Sequence, residues 1–415
     1  MVTLSSDLNQ AFEQFIHQFR LISDPMPPVV VAWSGGLDST VLLHALQQFT
    51  QSKSLPIKLS SIHVNHGLSP LALEWQQHCE QLAQRWGIAH QSIQLNLTPG
   101  RNLEAHAREA RYKTMAACIP ESVCLLTAHH QQDQAETFVA KLMQGAGLQG
   151  LTAMQMLQPL VYGGEKQWLG RPLLGIGRQN LLDYAKAFQL SWVEDPMNMD
   201  THFERVYLRQ RLWPVLAERY DKPIQNIAKS AGWLQQTQAL LVEYQQQDWQ
   251  AWAPEPKCFD WGFLSDMSWP RQQALIARWF DEYHGLRLRQ PHWQWLLTQA
   301  RSASMQRHPQ IQIAGQPMQR YRHKIYYPAV APRFDVTFTD LAALQAWCNV
   351  HWPIPLTLAC DQDIFPVRLR NRHIDDVFGG ERLKKWFQRH SVPPWLRDGW
   401  PVLQSQQGCS LLGVN

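Results

Sequence analysis

The residues with the clearest chemical purpose are Ser34, Gly35, Gly36, Leu37, Asp38 and Ser39, which follow the β-rich run VVVAW and precede the helical stretch TVLLHALQQF. Two glycines let the backbone turn tightly and bring successive amide N–H groups to an anion. The helix that follows directs its unpaired amides and positive dipole end to the same point. Ser34, Ser39 and Thr40 add hydroxyl donors. The pattern is neither GxxxxGKS/T nor GxGxxG, yet its place between strand and helix predicts a phosphate-binding loop.

A second cluster runs Thr127-Ala128-His129-His130-Gln131-Gln132-Asp133-Gln134-Ala135-Glu136-Thr137 after a fourth β-rich run. On a helix His129, Asp133 and Glu136 share a face, at the carboxyl end of a strand where open α/β sheets bind ligands. Carboxylates beside a polyphosphate suit Mg²⁺, a hard ion that prefers oxygen ligands, so Asp133 and Glu136 are the expected metal and catalytic pair of this cluster. A third cluster, opening at Asn102, places Glu104, Arg108 and Arg111 on one helical face. Glu104 and Arg108 either pair with each other or meet a nucleotide or substrate. His63 and His66 close the second strand, as polar loop residues or as neighbours of a bound nucleotide and acceptor.

Positioning such groups requires a particular frame. From residue 28, short β-rich runs alternate with helix-length segments: PVVVAW, KLSSIHV, HQSIQLN and VCLLTA, with helices from Asp38, near 70–86, near 103–118 and after His130. That alternation predicts an α/β fold with a doubly wound parallel sheet covered on both faces. Phe12, Phe15, Ile16 and Phe19 recur at helical spacing and predict an amphipathic helix packed on this domain. The expected organisation is a catalytic domain over 1–215, a mainly helical linker and middle domain over 216–335, and a small α+β domain over 350–415, with the Pro-containing AWAPEPK among the breaks.

The balance of 45% hydrophobic and 17% charged residues excludes wholesale disorder and collagen-like repeats. Seven cysteines form no CxxC pair, which points to reduced thiols in the cytoplasm, and no apolar run reaches the ~18 residues of a membrane span. Net charge is only +4, but it is unevenly placed: the first 150 residues hold nine Lys and Arg against eleven Asp and Glu. From Tyr283 to Phe334 there are eight basic residues and no acidic one. That stretch is either a polyanion-binding surface or a solvated basic face.

SGGLDS at the first strand–helix junction resembles the pyrophosphate loop of the PP-loop ATP pyrophosphatases. The series SGGLDST, HVNHGLS, EAHAREARY, TAHHQQDQAET, GLQGLTAM, GRPLL, WVEDPMNMDTHFERVYLR and LKKWFQRHSVPPWLRDGWPVL resembles the tRNA(Ile)-lysidine synthetases over nearly the whole chain. The resemblance implies a carbon–nitrogen ligase. ATP adenylates C2 of the wobble cytidine in tRNA(Ile) with anticodon CAU, and free L-lysine then displaces AMP to give lysidine, which switches reading from AUG to AUA. It implies ATP contacts at Ser34, Gly35, Gly36, Leu37, Asp38, Ser39, His63 and Arg111, with Mg²⁺ on Asp38, Asp133 and Glu136. Arg205 would act near the reacting groups and tRNA. Further tRNA contacts would fall on Arg320, Arg322, Lys384, Lys385, Arg389, Trp395 and Arg397, with Arg382 and Trp386 close by. The family also suggests a homodimer. Gln144, Ala146 and Val206 stand where Arg, Ser and Asn are usual. A tRNA thiolase of the same fold, or a non-catalytic tRNA-binding protein, are the competing readings; the absence of CxxC opposes the first and the intact SGGLDS opposes the second.

Overall fold

A computed structural model describes residues 5–23, 25–65, 67, 69–95, 103–162 except 121, 167–194, 204–302, 307–352, 356–357, 365–373, 383–405, 408–411 and 413–414. His66, Asn102, the side chains of Glu104 and Arg108, segment 195–203 and Arg382 lie outside what is described. The chain divides into two compact units, Met1–Leu240 and Leu241–Asn415.

The first unit opens with α1 (Ser6–Arg20), capped by the Ser5 hydroxyl, which accepts from the Leu8 amide. Then follow β1 (Val29–Ala32), α2 (Leu37–Ser52), β2 (Leu59–Asn65), α3 (Ala72–Trp86), β3 (Ala89–Gln94), α4 (Leu103–Cys118), β4 (Val123–Leu126) and α5 (Gln131–Met143). After the short α6 (Leu148–Leu151) come β5 (Leu157–Pro159), β6 (Gln167–Gly170), α7 (Arg178–Ala187) and α8 (Glu204–Tyr207). A π-helical turn over Leu208–Leu212 leads into α9 (Trp213–Arg219), and α10 (Pro223–Trp252) includes the division point.

The sheet order is β3-β2-β1-β4-β6-β5. The first five run parallel, as expected, and β5 closes the edge antiparallel to β6. Period-two alternation divides β1 and β4 between two cores. Val29, Val31, Cys124 and Leu126 join α1, α2, α3 and α7 on one face, and Val30, Val123 and Leu125 join Met115, Ala116 and Ile119 of α4 on the other. The aromatic stripe of α1 is buried in the first of these. Gly170 makes the approach possible, since a Cβ there would lie 2.5 Å from Leu126 Cδ2 and 2.7 Å from the Phe15 ring. β1 pairs with β2 on one side and β4 on the other, so the crevice beyond their carboxyl ends is the switch point where this fold binds ligands.

The second unit contains β7 (Cys258–Asp260), α11 (Trp261–Leu264), α12 (Trp269–His284), α13 (Gln290–Trp295), β8 (Gln310–Ile313), β9 (Gln316–Tyr321) and β10 (Lys324–Tyr326). These strands form an antiparallel sheet ordered β7-β10-β9-β8, so the helical middle region also carries a sheet. Beyond it lie β11 (Asp335–Phe338), α14 (Leu341–His351), β12 (Leu356–Thr357), β13 (Val367–Asn371), α15 (Leu383–Arg389), α16 (Pro394–Arg397), β14 (Pro401–Ser405), β15 (Gly408–Leu411) and β16 (Gly413–Val414). Cys258, Tyr321, Tyr326 and Ala329 share one core with Phe338, Trp352, Phe387 and Trp400. A boundary between 335 and 350 therefore separates no core. Cys79, Cys118, Cys124, Cys258 and Cys409 form no disulfide among the described residues, and no described helix is long and apolar enough to cross a membrane.

Candidate active site

The glycine loop joins β1 to α2 in a conformation its own hydroxyls maintain. Ser39 Oγ donates to Gly36 O (3.1 Å) and lies 3.0 Å from Ser34 Oγ, while Thr40 Oγ1 donates to Gly35 O (3.2 Å) and accepts from the Trp33 indole (3.0 Å). Thr40 is thus buried as a brace and not available as an anion donor. Gly35 has φ +82°, and a Cβ there would stand 3.0 Å from Val193 Cγ2 and 3.1 Å from Cys79 Sγ. Its part is backbone geometry and packing; unlike its neighbours, it does not line the cleft. Gly36 caps α2 without a side-chain bond, and the first helical bond is Thr40 N to Gly36 O. The amides before it carry the positive end of the helix dipole.

That helix end opens on a cleft of about 1290 Å³ shared by Ser34, Gly36, Leu37, Asp38, Ser39, His63, Arg111, His129, His130, Asp133, Arg178, Arg205 and Arg209. The β4 end supplies His130 as N-cap of α5, with Asp133 Oδ2 accepting the His130 amide at 2.9 Å. His130 Nδ1 accepts from the Gln132 amide (3.2 Å), which leaves Nε2 to carry a proton 3.6 Å from both Asp38 Oδ2 and Asp133 Oδ2. One imidazole therefore stands between the glycine loop and the second cluster.

Burial, with the nearby Asp133 charge, pushes the Asp38 carboxyl above its ordinary range against the opposing pull of His130, Arg178 and Arg209. Burial also acts on Asp133, but the His130 and His129 rings, the His130 amide and Arg205 outweigh it and hold Asp133 below the usual carboxylate range. His63 is buried with Nδ1 2.9 Å from Trp33 O, and desolvation lowers its pKa. Cys79, 3.8 Å from that ring, is pushed up to about 12 by burial, so it offers no thiolate.

Glu136 departs from its expected role. It is 0% exposed and stands outside the cleft lining. Its Oε1 accepts from Arg209 Nε (2.6 Å) and Gln132 Nε2 (3.0 Å), and its Oε2 from Arg209 Nη2 (3.0 Å). With both oxygens engaged by these donors, Glu136 serves in this structure as an anchor for arginine. Arg209 was not singled out from sequence, although its i,i+4 spacing from Arg205 was a usable signal. It reaches Asp133 Oδ1 at 3.1 Å, while Arg205 stands 3.7 Å from the same atom. Arg178, at the start of α7, is a second cation missed there.

Among the described residues no three His, Cys, Asp or Glu side chains are arranged to hold a metal by themselves. Asp38 Oδ1, however, is buried without a hydrogen-bond partner, and Asp133 shares its cleft. Two carboxylates whose coordination shell is completed by substrate phosphates and water fit Mg²⁺.

Residues 4–216 match the PP-loop domain family, and residues 370–409 match the TilS substrate C-terminal domain. A tRNA(Ile)-lysidine synthase of Hydrogenovibrio crunogenus is 30% identical, over 97% of this chain and 96% of its own. The chain belongs to the tRNA(Ile)-lysidine synthase family. The synthase of that name from Methylococcus capsulatus is 34% identical over 94% of this chain and 91% of its own. That from Pseudomonas aeruginosa is 41% identical over 61% and 58% respectively. As a member of the tRNA(Ile)-lysidine synthase family, the chain is a ligase that forms a carbon–nitrogen bond, and its PP-loop domain binds ATP.

Against that family background the basic residues of the second unit fall into two groups. Lys384, Lys385 and Arg389 are exposed on α15. The expectation of RNA contact changes for the others. Arg320 donates to the carbonyls of Arg322, Ala300 and Arg301. Arg322 donates to Gln388 O and Ser391 Oγ, and Arg397 to Val392 O. Trp395 is half-buried edge-on to Tyr321 and Tyr326, a packing residue and not an open stacking platform. Val206 is buried against the cleft, and its apolar side chain supplies no hydrogen bond there.

Proposed function

We propose that this cleft adenylates the C2 carbonyl oxygen of the wobble cytidine in tRNA(Ile) with anticodon CAU, and that the amine of free L-lysine then displaces AMP to give lysidine. The observation that carries this reading is the convergence of the glycine loop after β1 and the His130–Asp133 turn after β4 on one cleft at the sheet's switch point. The amides at the start of α2 would hold the phosphates of ATP, with Ser34 and Ser39 shaping the loop. Arg178 and Arg205 place positive charge where pyrophosphate departs. Mg²⁺ held by Asp38 and Asp133 would supply further charge neutralisation. Adenylation converts a poor leaving oxygen into a good one, and the attacking amine must first lose its proton, at a free pKa of ~10.4. Lys384, Lys385 and Arg389 would contact tRNA phosphates.

Incubation with ATP, Mg²⁺, labelled lysine and an isoleucine tRNA transcript bearing CAU tests the reading. Lysine should enter the RNA with release of AMP and pyrophosphate. Folded protein that transfers no label under these conditions would refute it.

A further inference from the structure

We propose that Arg209 is a positioning residue for adenylation: anchored by the buried Glu136, it fixes the Asp133 carboxylate on the cleft wall. The inference rests on the reaction proposed above and concerns which groups hold its machinery in place. A guanidinium is a planar fork, so its two bonds to Glu136 set its orientation as well as its location. With Nε and one Nη2 hydrogen on Glu136, the remaining Nη2 hydrogen meets Asp133 Oδ1. The His130 amide meets Asp133 Oδ2. Asp133 is thereby held at both oxygens, and the chain of restraint begins at Glu136, which does not line the cleft.

The backbone supports the same assignment. Pro214 has no N–H for Gln210 O, and its ring would clash with that carbonyl in a regular helix. The helix widens instead over Leu208–Leu212, with the Trp213 amide bonded to Leu208 O. Arg209 sits in this π turn, a feature that recurs at functional sites. Arg205, one turn earlier, makes among the described residues the longer 3.7 Å approach to Asp133. Arginine at 205 and arginine at 209 therefore have different tasks.

Arg209→Lys and Glu136→Gln, made separately, together and in an Asp133→Asn background, test this. Pyrophosphate release is followed alongside Mg·ATP affinity by calorimetry, with thermal unfolding as the fold control. Each single change should lower kcat about tenfold or more with a smaller change in KM for tRNA. The pair should lose no more than the worse single, and neither should add a further loss when Asp133 is already Asn. A near-normal Glu136→Gln overturns the proposal. So does an Arg209→Lys loss that persists undiminished in Asp133→Asn, because Arg209 would then act on substrate by itself. If Glu136→Gln fails to fold, the Glu136→Gln/Arg209→Met pair removes the unpaired charge; it should remain deficient, and full activity would overturn the proposal. Should the unmodified enzyme form no lysidine, the reaction reading falls separately. The positioning claim is then decided by Mg·ATP binding, which Arg209→Lys should weaken about fivefold and which an unchanged affinity would refute.

Discussion

Asp38 shows how function opposes stability at a single side chain. Its Oδ1 is buried without a partner, and burial raises its pKa. A carboxyl whose folded pKa lies above its unfolded value binds its proton more tightly when folded, so at neutral pH its ionisation destabilises the native state. Asp38→Asn should therefore raise the unfolding temperature of the first unit, by about 2 °C at pH 7, while abolishing pyrophosphate release. The gain should shrink as the pH falls through the folded pKa and Asp38 becomes neutral in the unmodified protein. Calorimetry at pH 7 and pH 4 reads this directly; a variant less stable at pH 7 would show that Asp38 makes favourable contacts in the free enzyme. Asp133 provides the contrast, since its low pKa marks a carboxylate already paired. Removing it should cost both activity and stability, with the stabilising share present at neutral pH and lost on acidification through that lowered pKa.

At the scale of elements, aim depends on the π turn that carries Arg209. Pro214→Ala restores an N–H that can bond Gln210 O, and the helix over 208–213 can then wind regularly. Stability should change by no more than about 1 kcal/mol, but Arg209 would rotate away from Asp133, and kcat/KM should fall about tenfold. Full activity would mean that the turn does not aim the guanidinium. This element was illegible in the sequence for a physical reason. The value of Arg209 lies in contacts 73 and 76 residues away, whereas the phosphate loop is a local pattern of turn residues, strand and helix that declares itself within six positions. The parallel sheet was readable from its alternation, while β5, three residues long, is too short for any period to show. Glu136 shares a helical face with Asp133, as its spacing indicates, yet the same spacing cannot say whether a carboxylate meets a metal or an arginine from another helix.

For the molecule as a whole, a count of basic residues overstates the surface available to RNA. Arg320, Arg322 and Arg397 bond backbone carbonyls, and the Arg322 bonds hold the end of α15. The cations that α15 leaves exposed include Lys384, Lys385 and Arg389. A cation that neutralises a phosphate releases a counterion, so its removal flattens the salt dependence of binding; a cation that braces the fold does so only by disturbing its neighbours. Lys384→Ala with Lys385→Ala should therefore weaken binding to tRNA and lower the slope of log K against log salt by about 1.4 to 1.8, at an unchanged unfolding temperature. Arg397→Ala should instead lower the unfolding temperature of the second unit, because the Val392 carbonyl loses a charge-assisted bond worth roughly 1.5–3 kcal/mol. Filter binding between 50 and 200 mM salt distinguishes the two roles. An unchanged slope in the lysine pair would remove α15 from the RNA surface, and an Arg397→Ala protein of full stability with a flattened slope would restore Arg397 to it.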